Sequence, residues 1–215
     1  MKWSQLIAAM SFSVAILTVS GAVFAEGTEM TPRVKAAVQK LETRFGLKSG
    51  DRALVVDPDS QRLFLVRNNR IEATYPVSTS LKGIGNQDGS YQTPIGTHRI
   101  CEKYGENSPV GTIFRARKNT GKIAKICTDN TDSPDDYVTT RILRLEGMEP
   151  GVNKGKGIDS YHRFIYIHGT PEEGLIGTPA SYGCIRMKNA DVIVLFDAIP
   201  VGILVEILGP SATVE

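Results

Sequence analysis

The chain has 215 residues, with 25 Lys and Arg against 23 Asp and Glu, for a formal net charge of +2. That balance, with no long basic run, excludes nucleic-acid binding through charge excess. Forty-one per cent hydrophobic residues are enough for one domain with a sizeable core.

The first residues have the pattern of a secretory signal peptide. Lys2 supplies a basic start, residues 6–19 are mostly apolar, and no charge occurs from Trp3 to Ala25. Val23-Phe24-Ala25 then offers a cleavage site, so residues 1–25 are set aside from the fold. A membrane anchor is the competing use. The apolar run is short for one and is broken by Ser11, Ser13, Thr18, Ser20 and Gly21, so no stable span is expected after processing. An exported chain with three cysteines, Cys101, Cys127 and Cys184, has an odd thiol. Cys101 and Cys127 either form a disulfide or are two small buried residues, and the sequence leaves both open.

Residues 26–51 hold a lead-in and one helix. Thr31 is placed as its N-cap and Pro32 at its first position; Val34, Val38, Leu41 and Phe45 recur at helical spacing, and Gly46 stops it. Beyond Arg52 the pattern changes to β. Residues 53–56, 62–66 and 71–77 form a meander punctuated by Asp57-Pro58-Asp59-Ser60 and Arg67-Asn68-Asn69-Arg70. Residues 78–90 form a glycine-rich loop, and Thr93-Pro94-Ile95-Gly96-Thr97 opens a strand carrying His98 and Ile100. Residues 102–109 are expected as loop, 112–116 and 122–127 as short strands, and 138–145 as a longer one. Residues 150–159, rich in glycine, are expected to be mobile. A strand over 161–167 would deliver His168, with His162, Phe164, Tyr166 and His168 on one face. A loop over 169–180 follows. Asn189 would cap a short helix ended by Pro200, and residues 203–208 would form a last buried strand. The fold class expected is mainly β, a sandwich or open barrel with one or two peripheral helices, spanning 52–208 with a tail at 209–215.

The chemistry concentrates in two segments. Ile167-His168-Gly169-Thr170 ends an apolar run, and Ser181-Tyr182-Gly183-Cys184-Ile185-Arg186-Met187 follows, with fifteen residues between His168 and Cys184. A thiol is mostly protonated near neutrality, so a nucleophilic cysteine needs a base beside it, and an imidazole could leave a thiolate–imidazolium pair. A tight turn through Gly183 could aim the amides of Tyr182, Gly183 and Cys184 at one developing oxyanion. Gly169 offers no side chain to orient His168, so a backbone carbonyl is expected to hold its second ring nitrogen. Zinc is the rival use of His168 and Cys184, but His98, His162 and His168 lack close ligand spacing and Cys184 has no Cys partner nearby; no metal is expected. His98 and His162 are expected to be structural.

These two segments, with Thr93-Pro94-Ile95-Gly96-Thr97 upstream, resemble the L,D-transpeptidase family with the YkuD-type catalytic domain. The resemblance covers roughly 52–208 and implies a β-sandwich-like domain of the periplasm or cell wall that needs no cofactor. It implies that Cys184 attacks a peptidoglycan stem tetrapeptide at the carbonyl of its third, diamino acid residue. D-alanine leaves, and an amine of another stem resolves the thioester. Some members use water instead, as L,D-carboxypeptidases, and some attach a lipoprotein to the wall, so a wall-attached lipoprotein is a further implied partner. His168 would be base and then acid, and the amides around Cys184 the oxyanion site. Ser181 would support the turn. Arg186 would either steady it through an ion pair or meet a substrate carboxylate. Gly169 and Thr170 are placed with substrate, and Tyr166 is either core or substrate wall. The residue two before the cysteine is often histidine in this family and here is Tyr182. A phenol cannot serve as a base at neutral pH, which also leaves room for a wall-binding protein without turnover.

Overall fold

The computed structural model describes residues 29–132 and 136–211, so the expected signal peptide and the last residues of the tail lie outside the described residues. Helix α1 (Pro32–Phe45) starts where Thr31 Oγ1 accepts from the Val34 N–H and ends at Gly46, whose φ of 74° is open to a residue without a Cβ. Its buried stripe, Val34, Ala37, Val38 and Leu41, packs on Ala53, Val55, Phe64, Val66 and Ile71. Lys40 then reaches past the helix to the carboxylates of Glu149 (2.7 Å) and Glu206 (2.8 Å), which pins α1 to the sheet.

The strands are β1 (Arg52–Asp57), β2 (Arg62–Arg67), β3 (Arg70–Ser78), β4 (Gly96–Tyr104), β5 (Thr112–Arg115), β6 (Lys118–Ile123), β7 (Val138–Gly147), β8 (Tyr166–Gly169), β9 (Ile185–Met187) and β10 (Leu204–Ile207). Their order is β4-β10-β1-β2-β3-β9-β8-β7-β5-β6, and a further β4–β7 pairing closes the run from β4 to β7 into a ring. The ring's interior is a single apolar core that includes Leu54, Leu63, Tyr75, Ile100, Leu145, Ile167, Ile185 and Met187. Helix α2 (Asn189–Ala198) adds Val192, Leu195 and Phe196 to that same core. Closure removes most free edges from the sheet, and the mainly β class with two helices is what the sequence pattern led one to expect.

Several boundaries differ from expectation. Strand β4 runs on to Tyr104 instead of yielding to a loop at 102, and β6 lies several residues earlier than expected. Residues 161–164 are turn, not strand. Asp159 accepts from the His162 N–H with its carboxylate and from the Arg163 N–H with its carbonyl, and Phe164 takes a φ of 56°. Local side-chain bonding of this kind competes with a strand ladder. Only Tyr166 and His168 therefore share the strand face expected for four residues. The glycine-rich 150–159 segment holds a buried anchor, Asn153, whose Nδ2 donates to the carbonyls of Ile95 (3.1 Å) and Thr97 (2.9 Å). The short strand β9 went unforeseen. Cys101, Cys127 and Cys184 are all free thiols, so the disulfide alternative is not the one observed.

Asn189 is not a cap but the first residue of α2, with Lys188 before it. Its side chain turns inward and spends every polar atom. Oδ1 accepts from the hydroxyls of Thr139 (2.7 Å) and Thr140, and Nδ2 donates to the Thr170 carbonyl (2.7 Å) and Glu173 Oε1 (2.7 Å). Thr140 sits at a φ of 67°, inside the register shift of β7 against β8. A β-branched residue held there marks stored strain, and the hydroxyl bond to Asn189 helps hold it.

Two outcomes test this packing. Asn189→Ala leaves buried donors and acceptors unpaired and is expected to cost about 2–4 kcal/mol, read as a lowered denaturant midpoint at unchanged m-value. Asp191, also buried on α2, has an Oδ2 without a hydrogen-bond partner among the described residues, and desolvation pushes its pKa up to about 6. A carboxyl raised on folding penalises the native state as pH rises through the window from its unfolded value to about 6. Asp191→Asn should therefore stabilise the protein at pH about 7, with the difference in Tm shrinking as pH falls toward about 4.

Candidate active site

Strands β8 and β9 run parallel with Ile167 opposite Ile185 and His168 opposite Arg186. Side chains alternate along each strand. Ile167, Ile185 and Met187 point into the core, so Tyr166, His168 and Arg186 point the other way, and Cys184, one residue before β9, continues the Arg186 face. The register thus puts His168 and Cys184 on one side of one strand pair, as diagonal neighbours. Cys184 packs there against a small cluster of Phe114, Ile142 and Tyr166.

Each group has its own fixing contact. His168 is buried, and its Nδ1 lies 2.8 Å from the Gly169 carbonyl. A carbonyl only accepts, so Nδ1 carries the proton and Nε2 keeps its lone pair. The expected backbone orienter is therefore present. The chain is also crowded at Gly169. A Cβ there would fall 2.6 Å from Asn189 Oδ1 and 2.8 Å from the Thr139 carbonyl, so the residue after the histidine has to be glycine.

The turn before β9 is equally constrained. Gly183 has a φ of 121°, and its N–H donates to Ser181 Oγ at 3.2 Å. Ser181 Oγ in turn donates to the Cys184 carbonyl at 2.6 Å, which closes the turn on itself. Among the described residues no acceptor lies on the amides of Tyr182 or Cys184, whereas the Gly183 amide is already engaged. Cys184 is half-buried, with Sγ 3.5 Å from the Phe164 carbonyl.

The electrostatics favour neutral partners at rest. Desolvation pushes the Cys184 thiol up to about 12, while the Tyr166 N–H acts weakly in the other direction. Burial pushes the His168 imidazole below its ordinary value. Both groups feel the same two further charges, Asp136 and Arg186. The thiolate–imidazolium pair expected from the sequence is therefore not the form this environment favours before substrate binds.

The residues placed with substrate behave otherwise. Arg186 is fully buried, and its Nη1 pairs with Glu172 (2.6 Å) and Asp136 (3.0 Å), so the ion-pair alternative is the observed one. Thr170 is also buried: its N–H donates to the Met187 carbonyl, its hydroxyl accepts from Glu172, and its carbonyl serves Asn189. With Gly169 it supports the site from behind, because both sit between β9 and α2 and not on an open surface. Tyr166 is mostly buried, and its hydroxyl accepts from Arg117 at 3.1 Å. Tyr182 is exposed and meets Tyr91 edge to face, with centroids 6.2 Å apart.

His98 is buried, between the Gly96 carbonyl and Ser160 Oγ, and His162 pairs with Asp159 at the surface. Among the described residues no group of three or more His, Cys, Asp or Glu side chains is arranged to hold a metal ion. A cavity of about 950 Å³ lies elsewhere, between the β2–β3 hairpin and α2, and none of these site residues lines it. Sequence reasoning missed Asn189 as an inward tie and overlooked Arg163, which the structure places beside the Cys184 turn. Asn189 carried a signal, its place at a helix start, but the sequence could not say which way the side chain turned.

Comparison with known proteins follows the same segments. Residues 51–207 match the model of the YkuD L,D-transpeptidase catalytic domain. YqjB of Bacillus subtilis (strain 168), provisionally named an L,D-transpeptidase, is 30% identical over 166 residues, covering 77% of this chain and 76% of that protein. ErfK/SrfK of Salmonella typhimurium, named a probable L,D-transpeptidase, is 48% identical over 130 residues, 55% of this chain but only 40% of the relative. Among solved structures, L,D-transpeptidase 3 from Mycobacterium tuberculosis in complex with a faropenem-derived adduct aligns at a TM-score of 0.46 and 16% identity, over 74% of this chain and 60% of that one. On the match across residues 51–207, the chain belongs to the YkuD L,D-transpeptidase catalytic domain family.

Proposed function

We propose that the protein is an exported, wall-facing cysteine acyltransferase acting on peptidoglycan stem tetrapeptides. The observation that carries the reading is the shared face of β8 and β9, with His168 presenting Nε2 on the side where Cys184 presents its sulfur. Among the described residues no helix is long and apolar enough to cross a membrane.

The steps follow from the resting state. A neutral thiol meets a neutral imidazole, so the proton moves only as the sulfur attacks. Sγ bonds to the carbonyl carbon of the third stem residue while its proton passes to His168 Nε2. The oxyanion is held by the free amides of Cys184 and Tyr182, and Gly183 spends its own N–H holding the turn. Collapse breaks the C–N bond, and the imidazolium returns the proton to the departing D-alanine amine. The side-chain amine of a second stem then attacks the thioester, loses its proton to His168, and releases the thiol as the cross-link forms. Arg186, fixed by Glu172 and Asp136, adds a buried positive charge that disfavours imidazolium at rest and favours the thiolate as it develops.

The defining assay is incubation with purified muropeptides and mass analysis. A cross-linked dimer with loss of D-alanine is expected, abolished by Cys184→Ala. Trimmed monomer alone would identify water as acceptor, and the absence of acyl-enzyme and of both products would point to a binding protein. Two further outcomes follow. Iodoacetamide labelling of Cys184 should be slow near pH 7 and still accelerating above about pH 9, because the thiol is raised; a plateau below about pH 7 would mean a resting ion pair instead. Gly183→Ala should lower kcat about 10²-fold or more by forcing a side chain onto a φ of 121° beside the oxyanion donors, with KM less affected.

A further inference from the structure

Arg163 is a half-buried cation without a carboxylate at ion-pair distance among the described residues. Its Nη2 donates to the Gln92 carbonyl at 2.6 Å and its Nη1 to the Gly85 carbonyl at 3.2 Å. A guanidinium has five N–H donors, so most of its capacity is unspent. Asp88 acts on it only from beyond contact, and burial pushes its pKa down. A cation kept partly out of water, with neutral acceptors and no counter-charge in contact among the described residues, adds little to the fold. It is a good receptor for an anion that arrives later.

Its position says which anion. The Gln92 carbonyl that it grips is the same atom that a Cβ on Gly183 would meet at 3.3 Å. Gly183 is the residue before Cys184. On the chain side, Arg163 precedes Phe164, whose carbonyl lies 3.5 Å from Cys184 Sγ. The guanidinium therefore adjoins the nucleophile's turn, on the side of the 83–92 loop, and its charge and that of Cys184 act on each other. The exposed rings of Tyr91 and Tyr182, which meet each other, belong to the residues just before Gln92 and Gly183. In a substrate cut one residue from its end, the terminal carboxylate lies about one residue span, roughly 3.5 Å, from the scissile carbonyl.

We propose that Arg163 receives the free terminal carboxylate of the residue that leaves, and so restricts the donor to stems ending one residue beyond the scissile bond. The inference rests on the acyl-donor reading above. An Arg presents paired N–H groups to a carboxylate, which fits a terminal acid better than an amide or a longer chain.

The experiment compares kcat/KM for a tetrapeptide stem ending in a free acid with the same stem ending in a carboxamide. The wild type should prefer the acid by about 10²-fold, Arg163→Lys by less, and Arg163→Met by under about fivefold, with the loss falling on the acid alone. Unfolding midpoints near the wild type's exclude misfolding, and Arg163→Lys carries the comparison if Arg163→Met melts early. A merely structural arginine would slow both stems equally and keep their ratio, which would overturn the proposal. Binding of the two stems to Cys184→Ala, with and without Arg163→Met, needs no turnover. If the wild type turns over acid and amide alike, the carboxylate site falls and the acyl-transfer reading stands. If it turns over neither, yet Cys184→Ala binds the acid preferentially through Arg163, the acyl-transfer reading falls and the carboxylate site stands. Equal binding of both stems removes the site.

Discussion

The parallel pairing of β8 with β9 is the constraint on which the site depends. Parallel neighbours cannot be joined by a tight hairpin, so the intervening chain must leave the sheet and return. What brings it back in register is a set of buried polar contacts. Thr170 bonds to Met187 across the pair, Asn189 spans Thr139, Thr140, Thr170 and Glu173, and Gly169 has no Cβ so that Asn189 can come close. A fully satisfied buried amide fixes geometry more sharply than apolar packing does, because every alternative register leaves its donors unpaired. A slip of one residue would also turn Cys184 away from the His168 side.

The same burial that fixes the geometry sets the charge state. Taking a thiol and an imidazole out of water disfavours both ions, and it does so before any substrate enters. Arg186 complicates this balance. It is a cation inside the protein, compensated by Glu172 and Asp136, with Nε and Nη2 left without hydrogen-bond partners among the described residues. Such a charge is costly to bury unless it is paired, and Glu172 and Asp136 supply the pairing through Nη1. Its electrostatic effect is clear in direction: it opposes imidazolium and favours thiolate, so it acts on the two partners in opposite senses.

Much of this was legible in the sequence. The helix at Pro32 was fixed by Thr31 and Gly46 together with a regular apolar stripe, and β1 to β3 by alternating runs between unambiguous turns. His168 and Cys184 stood out because glycines flanked both. What could not be read were features set by tertiary contact. The closure of β4 on β7 has no local signal. Residues 161–164 look like a strand by composition, but Asp159 captures their amides. Asn189 and Arg186 are polar residues that would ordinarily be placed outside, and both are buried against partners distant in sequence, which satisfy Asn189 fully and Arg186 through Nη1. Thr170 and Gly169 looked like substrate contacts because they adjoin the histidine, although adjacency along a strand end says nothing about which side is open.

Tyr182 shows how far position outweighs residue type. Its backbone contributes to the turn, and its side chain points out of the site, with 60% of its surface exposed and its ring against Tyr91. If Cys184 and His168 act as proposed, a phenol in place of an imidazole there leaves the transfer between them unchanged. It presents instead an exposed aromatic edge beside Tyr91. On the proposed mechanism, the departure from the family pattern alters an exposed side chain of the turn and not the pair that carries the chemistry.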